Sequence, residues 1–420
     1  MEKLLIRGNP GLRLRGEVRM SGAKNAVLPA IAASLLSSEE VLLSNVPHVK
    51  DVETILTLIA ELGGSCKLTG DTVSLRVPRI RSDEASYELV RAMRASILVL
   101  GPLVARFGKA VVALPGGCAI GSRPIDLHIA GLQKLGARIS LEHGYIQAEA
   151  GRLQGAEIVF EKKTVTGTEN LLMAAALAKG ETILRNCARE PEVVDLAVLL
   201  NKMGAKIDWP DPETARIRGV KELGGAVHAI IPDRIETGTF LVAGALTSGD
   251  FVVRGVIPEH VESVVAKLRA SGAYVEPEGE GALRVVGKGE IGAQDITTSP
   301  YPGFPTDMQA QFMVLLTQAA GTSIITETIF DRRFSHVNEL VRLGASIEVQ
   351  GDKAVVKGRT PLSGAEVVAT DLRASAALVL AGLVASGETT VTEIEHLDRG
   401  YERIEEKLGG LGASIERVKA

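Results

Sequence analysis

The chain has 420 residues, 45% hydrophobic and 23% charged, with a formal net charge of −4. This is the balance of a folded globular protein too long for a single core, so two domains are expected. The small net charge excludes a general polyanion binder, and an aromatic content of 3% argues against base-stacking on single strands, so no nucleic-acid partner is expected.

The first residues, Met1-Glu2-Lys3-Leu4-Leu5-Ile6-Arg7, lack the long apolar stretch and small-residue cleavage site of a secretory signal. A strand is expected from Leu12 to Met20, pairing with the last part of the chain. Buried helices are expected at Asn25 to Leu36, Asn170 to Ala178 and Arg373 to Ala385, which are rich in Ala and Leu. The longest apolar run, Ala374 to Ser386, is shorter than the ~20 residues that cross a bilayer, so no membrane partner is expected.

A helix-ending signal recurs along the chain: Leu62-Gly63-Gly64, Leu135-Gly136-Ala137, Met203-Gly204-Ala205, Ser271-Gly272-Ala273, Leu343-Gly344-Ala345 and Leu411-Gly412-Ala413. The middle glycines are 73, 68, 68, 72 and 68 residues apart. Glycine takes the left-handed conformation that closes a helix before a strand. A strand-opening signal sits upstream of each, as in Gly180-Glu181-Thr182-Ile183-Leu184 and Gly387-Glu388-Thr389-Thr390-Val391. Each unit reads as buried helix, strand, amphipathic helix, glycine turn and short alternating strands. A period of about 70 residues exceeds the usual solenoid repeat of about 20–50, so six units fit two globules of three better.

Three features carry chemistry. The segment Leu114 to Pro124 is glycine-rich with Cys118 at its centre and Arg123 nearby, a setting for a mobile lid with an activated thiol. Cys66 and Cys187 read as inert fillers, and three cysteines so far apart suggest a reducing, cytoplasmic compartment without disulfides or zinc. In Phe304-Pro305-Thr306-Asp307, the aspartate opens an apolar helix from Met308 to Leu316. It reads either as a helix cap or, in a cleft, as a base. Lys24, Arg94, Arg333, Arg373 and Arg399 lie at helix starts or in turn loops. There a cation opposes the helix dipole unless an anion joins it, which implies a small, highly anionic ligand. Gly287-Lys288-Gly289-Glu290-Ile291-Gly292 matches a dinucleotide fingerprint but no helix follows it, and it is set aside. The seven histidines show no paired metal spacing.

The Lys24-Asn25 helix start, the Pro-Gly-Gly-Cys loop running into Arg123-Pro124-Ile125-Asp126-Leu127-His128, the Phe304 to Asp307 turn and Asp398-Arg399-Gly400-Tyr401-Glu402 resemble the UDP-N-acetylglucosamine 1-carboxyvinyltransferases of the enolpyruvyl transferase family. The resemblance covers essentially the whole chain. It implies an α/β (α+β) fold, a two-domain inside-out α/β barrel built from six βαβαββ-like repeats, three per domain. One domain would be 22–231, carrying the Cys118 lid loop, and the other 1–21 plus 232–420, with the active site in the cleft between them.

The resemblance further implies enolpyruvyl transfer from phosphoenolpyruvate to the 3-hydroxyl of UDP-N-acetylglucosamine with release of phosphate, in peptidoglycan precursor synthesis. The catalytic residues would be Cys118, Asp307, Lys24 and Arg399. Phosphoenolpyruvate would be held by Lys24, Arg123, Arg333, Arg373 and Arg399. The nucleotide sugar would touch Asn25, Arg94, Arg123, Pro124, Ile125, Asp126, Leu127, Lys162, Lys163, Thr164, Val165, Thr306, Asp307 and Ile329. It implies no metal or organic cofactor, a covalent phosphoenolpyruvate adduct on Cys118 and alkylation of Cys118 by fosfomycin. A monomer or weak homo-oligomer is expected. The alternatives are transfer to shikimate 3-phosphate, or a non-catalytic nucleotide-sugar-binding paralogue.

Overall fold

The structure is a computed structural model that describes residues 2–419 except 115–124 and Arg332. The described residues form two compact units, one of residues 22–114 and 125–231, the other of residues 2–21 and 232–419, each with its own hydrophobic core.

Each unit holds three four-stranded sheets with one common order. A short edge strand runs parallel to the opening strand of a repeat. In five of the sheets the opening strand runs antiparallel to the closing strand, which forms a hairpin with its predecessor, and in the sixth Glu2–Gly8 takes the closing strand's place beside Ile415–Lys419. In the second repeat Glu84–Ala85, Lys109–Ala113, Tyr145–Glu149 and Arg138–Glu142 take these places. In the first repeat the edge strand is Ala226–Ala229, brought back from the end of the third repeat to lie beside Glu40–Ser44, so the three repeats close on themselves.

The predicted glycine turns are all present. Gly63, Gly136, Gly204, Gly272, Gly344 and Gly412 have φ between 97° and 112°. Each follows a helix: Lys50–Glu61, Asp126–Lys134, Pro191–Lys202, Glu262–Ala270, Val337–Arg342 and Ile404–Gly410. In the first of these turns Gly63 N donates to Ala60 O and Gly64 N to Ile59 O, the paired bonds that satisfy a helix's last carbonyls.

The core of each unit is helical, with the sheets outside it. Lys24–Ala33, Leu100–Phe107 and Val165–Ala176 serve one unit, and Arg234–Leu246, Gln309–Thr317 and Leu372–Val384 the other. Leu372–Val384 buries every residue from Arg373 onward, so it has no polar stripe and reads as apolar all round.

The strand expected from Leu12 to Met20 is corrected. It is Arg15–Arg19, and it pairs with Asp250–Arg254 of the fourth repeat. The strand that joins the sixth repeat is Glu2–Gly8, which lies between Gly387–Thr392 and Ile415–Lys419. Its alternation buries Leu4 and Ile6 and leaves charged neighbours outside.

Candidate active site

Asp307 lies in the short 3-10 turn Thr306–Met308 that leads into Gln309–Thr317. It is not the helix cap. The cap position makes no side-chain bond, and both carboxylate oxygens go to arginines. Oδ1 meets Arg333 Nη2 at 2.7 Å, and Oδ2 meets Arg373 Nη2 and Nε, each at 3.0 Å. Arg333 and Arg373 are almost wholly buried, whereas the Asp307 side chain is a quarter exposed. Burial alone would raise the Asp307 pKa. Arg333 and Arg373, with Arg234 adding a smaller effect, outweigh it and hold the carboxyl well below the usual carboxylate range.

The two arginines are fixed from different elements. Arg373 enters Leu372–Val384 just after Asp371, whose carboxylate caps that helix by accepting from Arg373 N and Ala374 N. Its guanidinium lies 5.4 Å from the Tyr401 ring centre, and Tyr401 in turn bonds Thr239 and Gln311. Arg373 Nη1 is buried with no hydrogen-bond partner among the described residues, an arrangement that suits an incoming anion. Arg333 Nη1 donates to the Thr306 hydroxyl at 2.8 Å. A partly exposed carboxylate, two buried guanidiniums and one spare donor can bind an anion and take up a proton from a hydroxyl.

The structure sets the Asp398 to Glu402 segment around Arg399. Asp398 is gripped by Arg417 at 2.7 and 3.0 Å, Tyr401 is buried, and Glu402 accepts from Ser21. A Cβ at Gly400 would sit 2.6 Å from Leu372 Cδ1, so a larger residue there would push the Leu372 side chain aside. Arg399 itself is half-buried just after Glu395–Asp398.

In the other unit, Lys24 opens Lys24–Ala33 and pairs at 2.9 Å with Asp51, a buried residue in the first turn of Lys50–Glu61. Asn25 follows it, half-buried. The sequence reading missed Asp51, although an acid after Lys50 at a helix start was a visible signal. Lys163 pairs with Glu213 at 2.7 Å, and Thr164 caps Val165–Ala176 by accepting from Gly167 N. Lys162 lies just before them on the surface. Ile125 precedes Asp126–Lys134, with Asp126 and Leu127 in its first turn. His128 on that helix is buried. Asn170 Nδ2 donates to its Nδ1 at 3.0 Å, so the proton sits on Nε2 toward Thr166. Burial pushes its pKa down to about 4 against the pull of Asp126.

Ile329 presents a 37% exposed side chain just past Thr322–Thr326. Cys118, Arg123 and Pro124 lie outside the described residues, as does the side chain of Arg94. Burial pushes the Cys66 and Cys187 thiols up to about 11, which leaves them protonated at neutral pH. Among the described residues no group of His, Cys, Asp and Glu clusters as a metal site, and no helix is long and apolar enough to cross a membrane.

A family model for EPSP synthase (3-phosphoshikimate 1-carboxyvinyltransferase) matches residues 9–408. The chain is 58% identical over 422 residues to the UDP-N-acetylglucosamine 1-carboxyvinyltransferase of Koribacter versatilis, covering all of this chain and 97% of that one. It is 57% identical over the full length of both chains to the same-named protein of Solibacter usitatus. Among solved structures, the enolpyruvyl transferase NikO from Streptomyces tendae is similar with a TM-score of 0.89 at 27% identity, covering 100% of this chain and 99% of that one. An EPSP synthase from Acinetobacter baumannii shares the fold with a TM-score of 0.76 at 17% identity over the whole of both chains.

Proposed function

This chain belongs to the EPSP synthase family of carboxyvinyltransferases, and from that membership we propose that it transfers the enolpyruvyl group of phosphoenolpyruvate to the 3-hydroxyl of UDP-N-acetylglucosamine, releasing phosphate. The observation that carries the chemistry is Asp307 held between two buried guanidiniums, one with a donor to spare. Full-length relatives of that name favour the nucleotide sugar as acceptor over shikimate 3-phosphate.

In the proposed reaction the sugar oxygen adds to C2 of phosphoenolpyruvate while C3 gains a proton. The tetrahedral ketal then loses phosphate from C2 and a proton from C3. Arg333 and Arg373 hold the substrate carboxylate, and Lys24, Arg123 and Arg399 its phosphate. Fixed cations of this kind need no reorganisation as charge shifts in the transition state. Asp307 takes the hydroxyl proton, and Cys118 supplies the proton to C3. A carboxylate paired with two arginines is a weak base. A substrate carboxylate that competes for Arg333 and Arg373 loosens the pairing and raises the basicity of Asp307. The sugar nucleotide lies against Asn25, Arg94, residues 123–127 and 162–165, Thr306, Asp307 and Ile329. Both substrates belong to the cytoplasm, where the product feeds peptidoglycan synthesis.

The test is phosphate release from phosphoenolpyruvate with each acceptor in turn. Turnover with UDP-N-acetylglucosamine, lost after fosfomycin with the mass increment on Cys118, is the expected outcome. Turnover with shikimate 3-phosphate alone overturns the acceptor, and tight ligand binding with no turnover overturns the enzymatic reading.

A further inference from the structure

Glu327 follows the strand Thr322–Thr326 and is 3% exposed. Its Oε1 accepts from the Thr298 hydroxyl at 3.0 Å, from Ile329 N at 2.9 Å and from Phe330 N at 3.2 Å. Its Oε2 accepts from the Thr306 hydroxyl at 2.8 Å. Four donors converge on one buried carboxylate, the pattern of an ionised group acting as a hub. The direction of the Thr306 bond is fixed. Arg333 can only donate, so the Thr306 oxygen accepts from Arg333 Nη1 and its proton must go to Glu327.

We propose that Glu327 is a positioning residue for the acceptor sugar, because one carboxylate sets both the hydroxyl direction of Thr306 and the main-chain turn that presents Ile329. This rests on the functional reading above, which places Thr306, Asp307 and Ile329 against the nucleotide sugar. Glu327 touches no reacting atom. It acts along the line Glu327, Thr306, Arg333, Asp307, and it holds the turn at 329–330 through two backbone N–H groups.

Glu327→Gln keeps size and shape but exchanges one acceptor oxygen for a donor. If the amide oxygen keeps the three donors of Oε1, the amide nitrogen faces Thr306, and the threonine hydroxyl must turn its proton away. The experiment is steady-state kinetics with each substrate varied, on the wild-type enzyme, Glu327→Gln, Thr306→Val and the double variant, with thermal melting of each. The KM for UDP-N-acetylglucosamine should rise about tenfold in Glu327→Gln, the fold-change of one hydrogen bond to a charged group, while the KM for phosphoenolpyruvate changes much less. Because the amide oxygen keeps the turn, the double variant should be no worse for the acceptor than Thr306→Val alone, so the two effects fall short of multiplying.

An acceptor KM unchanged in Glu327→Gln overturns the proposal, as do effects that multiply fully in the double variant. A uniform loss in both KM values and kcat together with a lowered melting temperature also overturns it, in favour of a structural role. Should Glu327→Gln not fold, Glu327→Asp, which cannot span both sets of donors, carries the same prediction. Absence of wild-type turnover with this acceptor defeats the functional reading instead, and so separates the two failures.

Discussion

Arg333 and Arg373 keep Asp307 ionised at neutral and mildly acidic pH. Its folded pKa lies below the unfolded value of 3.8, so its ionisation stabilises the fold above that value and the contribution is lost only as pH falls further. An acid limb in the pH–rate profile of the free enzyme therefore arises from another group. Asp307→Asn should lower kcat by about 10²–10⁴. It also leaves Arg333 and Arg373 without their counter-charge, so phosphoenolpyruvate should bind more tightly, and the melting temperature should fall without that ligand and recover with it. Kinetics and melting curves with and without phosphoenolpyruvate check both signs. His128 gives a pH dependence of the same sign in a higher window. Its pKa falls from 6.5 in the unfolded chain to about 4 in the fold, so it stabilises the neutral-pH fold by about 3 kcal/mol at ~1.4 kcal/mol per pH unit. That contribution is whole above pH 6.5 and disappears as pH falls toward 4. Urea unfolding followed by the lone tryptophan, Trp209 of the same unit, should show the gap between wild type and His128→Gln narrowing across that window.

At the scale of elements, the glycine turns were legible because a left-handed φ at a helix end is a local demand that one residue type meets. The cost of breaking them depends on what surrounds each. Gly204 has φ 104° with open space where a methyl group would go, whereas at Gly63, φ 112°, a Cβ would lie 2.8 Å from Arg81 N and the neighbouring backbone cannot give way easily. Gly204→Ala should cost about 1–2 kcal/mol from backbone strain, and Gly63→Ala more, as measured by chemical denaturation. The helix Val165–Ala176 began five residues earlier than its sequence pattern suggested. Val165, Thr166 and Thr168 are β-branched and weaken the helical signal, while the Thr164 cap that starts it depends on Gly167, where a Cβ would sit 2.4 Å from the Thr164 methyl. The ion pairs of the site were least legible. Asp307, Arg333 and Arg373 could be picked out as residue types in unusual loops, but their pairing joins residues 26 to 66 positions apart, which no local pattern encodes.

Across the whole molecule, the sixfold repeat could be read because each copy repeats the same local signals, whereas the closure of the repeats could not. Ala226–Ala229 returns to the first repeat, and Glu2–Gly8 and Arg15–Arg19 serve the sixth and fourth. Strand pairing over such distances depends on which edge is left open, and that is a property of the assembled sheets. Leu4 is fully buried in the strand Glu2–Gly8. Leu4→Ala should cost about 2–5 kcal/mol, seen by calorimetry as a lower transition for the unit of residues 2–21 and 232–419, with the Trp209 transition of the other unit unmoved.

The placement of Glu2–Gly8 between Gly387–Thr392 and Ile415–Lys419 also sets a timetable for biosynthesis. Glu2–Gly8 is made long before the two strands that flank it, so both its edges stay unpaired until residues 387–392 and 415–419 have been made. Residues 22–231 carry every strand of their own three sheets and can finish folding on the nascent chain. The sheet of the sixth repeat closes only once residues 415–419 have emerged, and until then Glu2–Gly8 offers two open strand edges to any other chain.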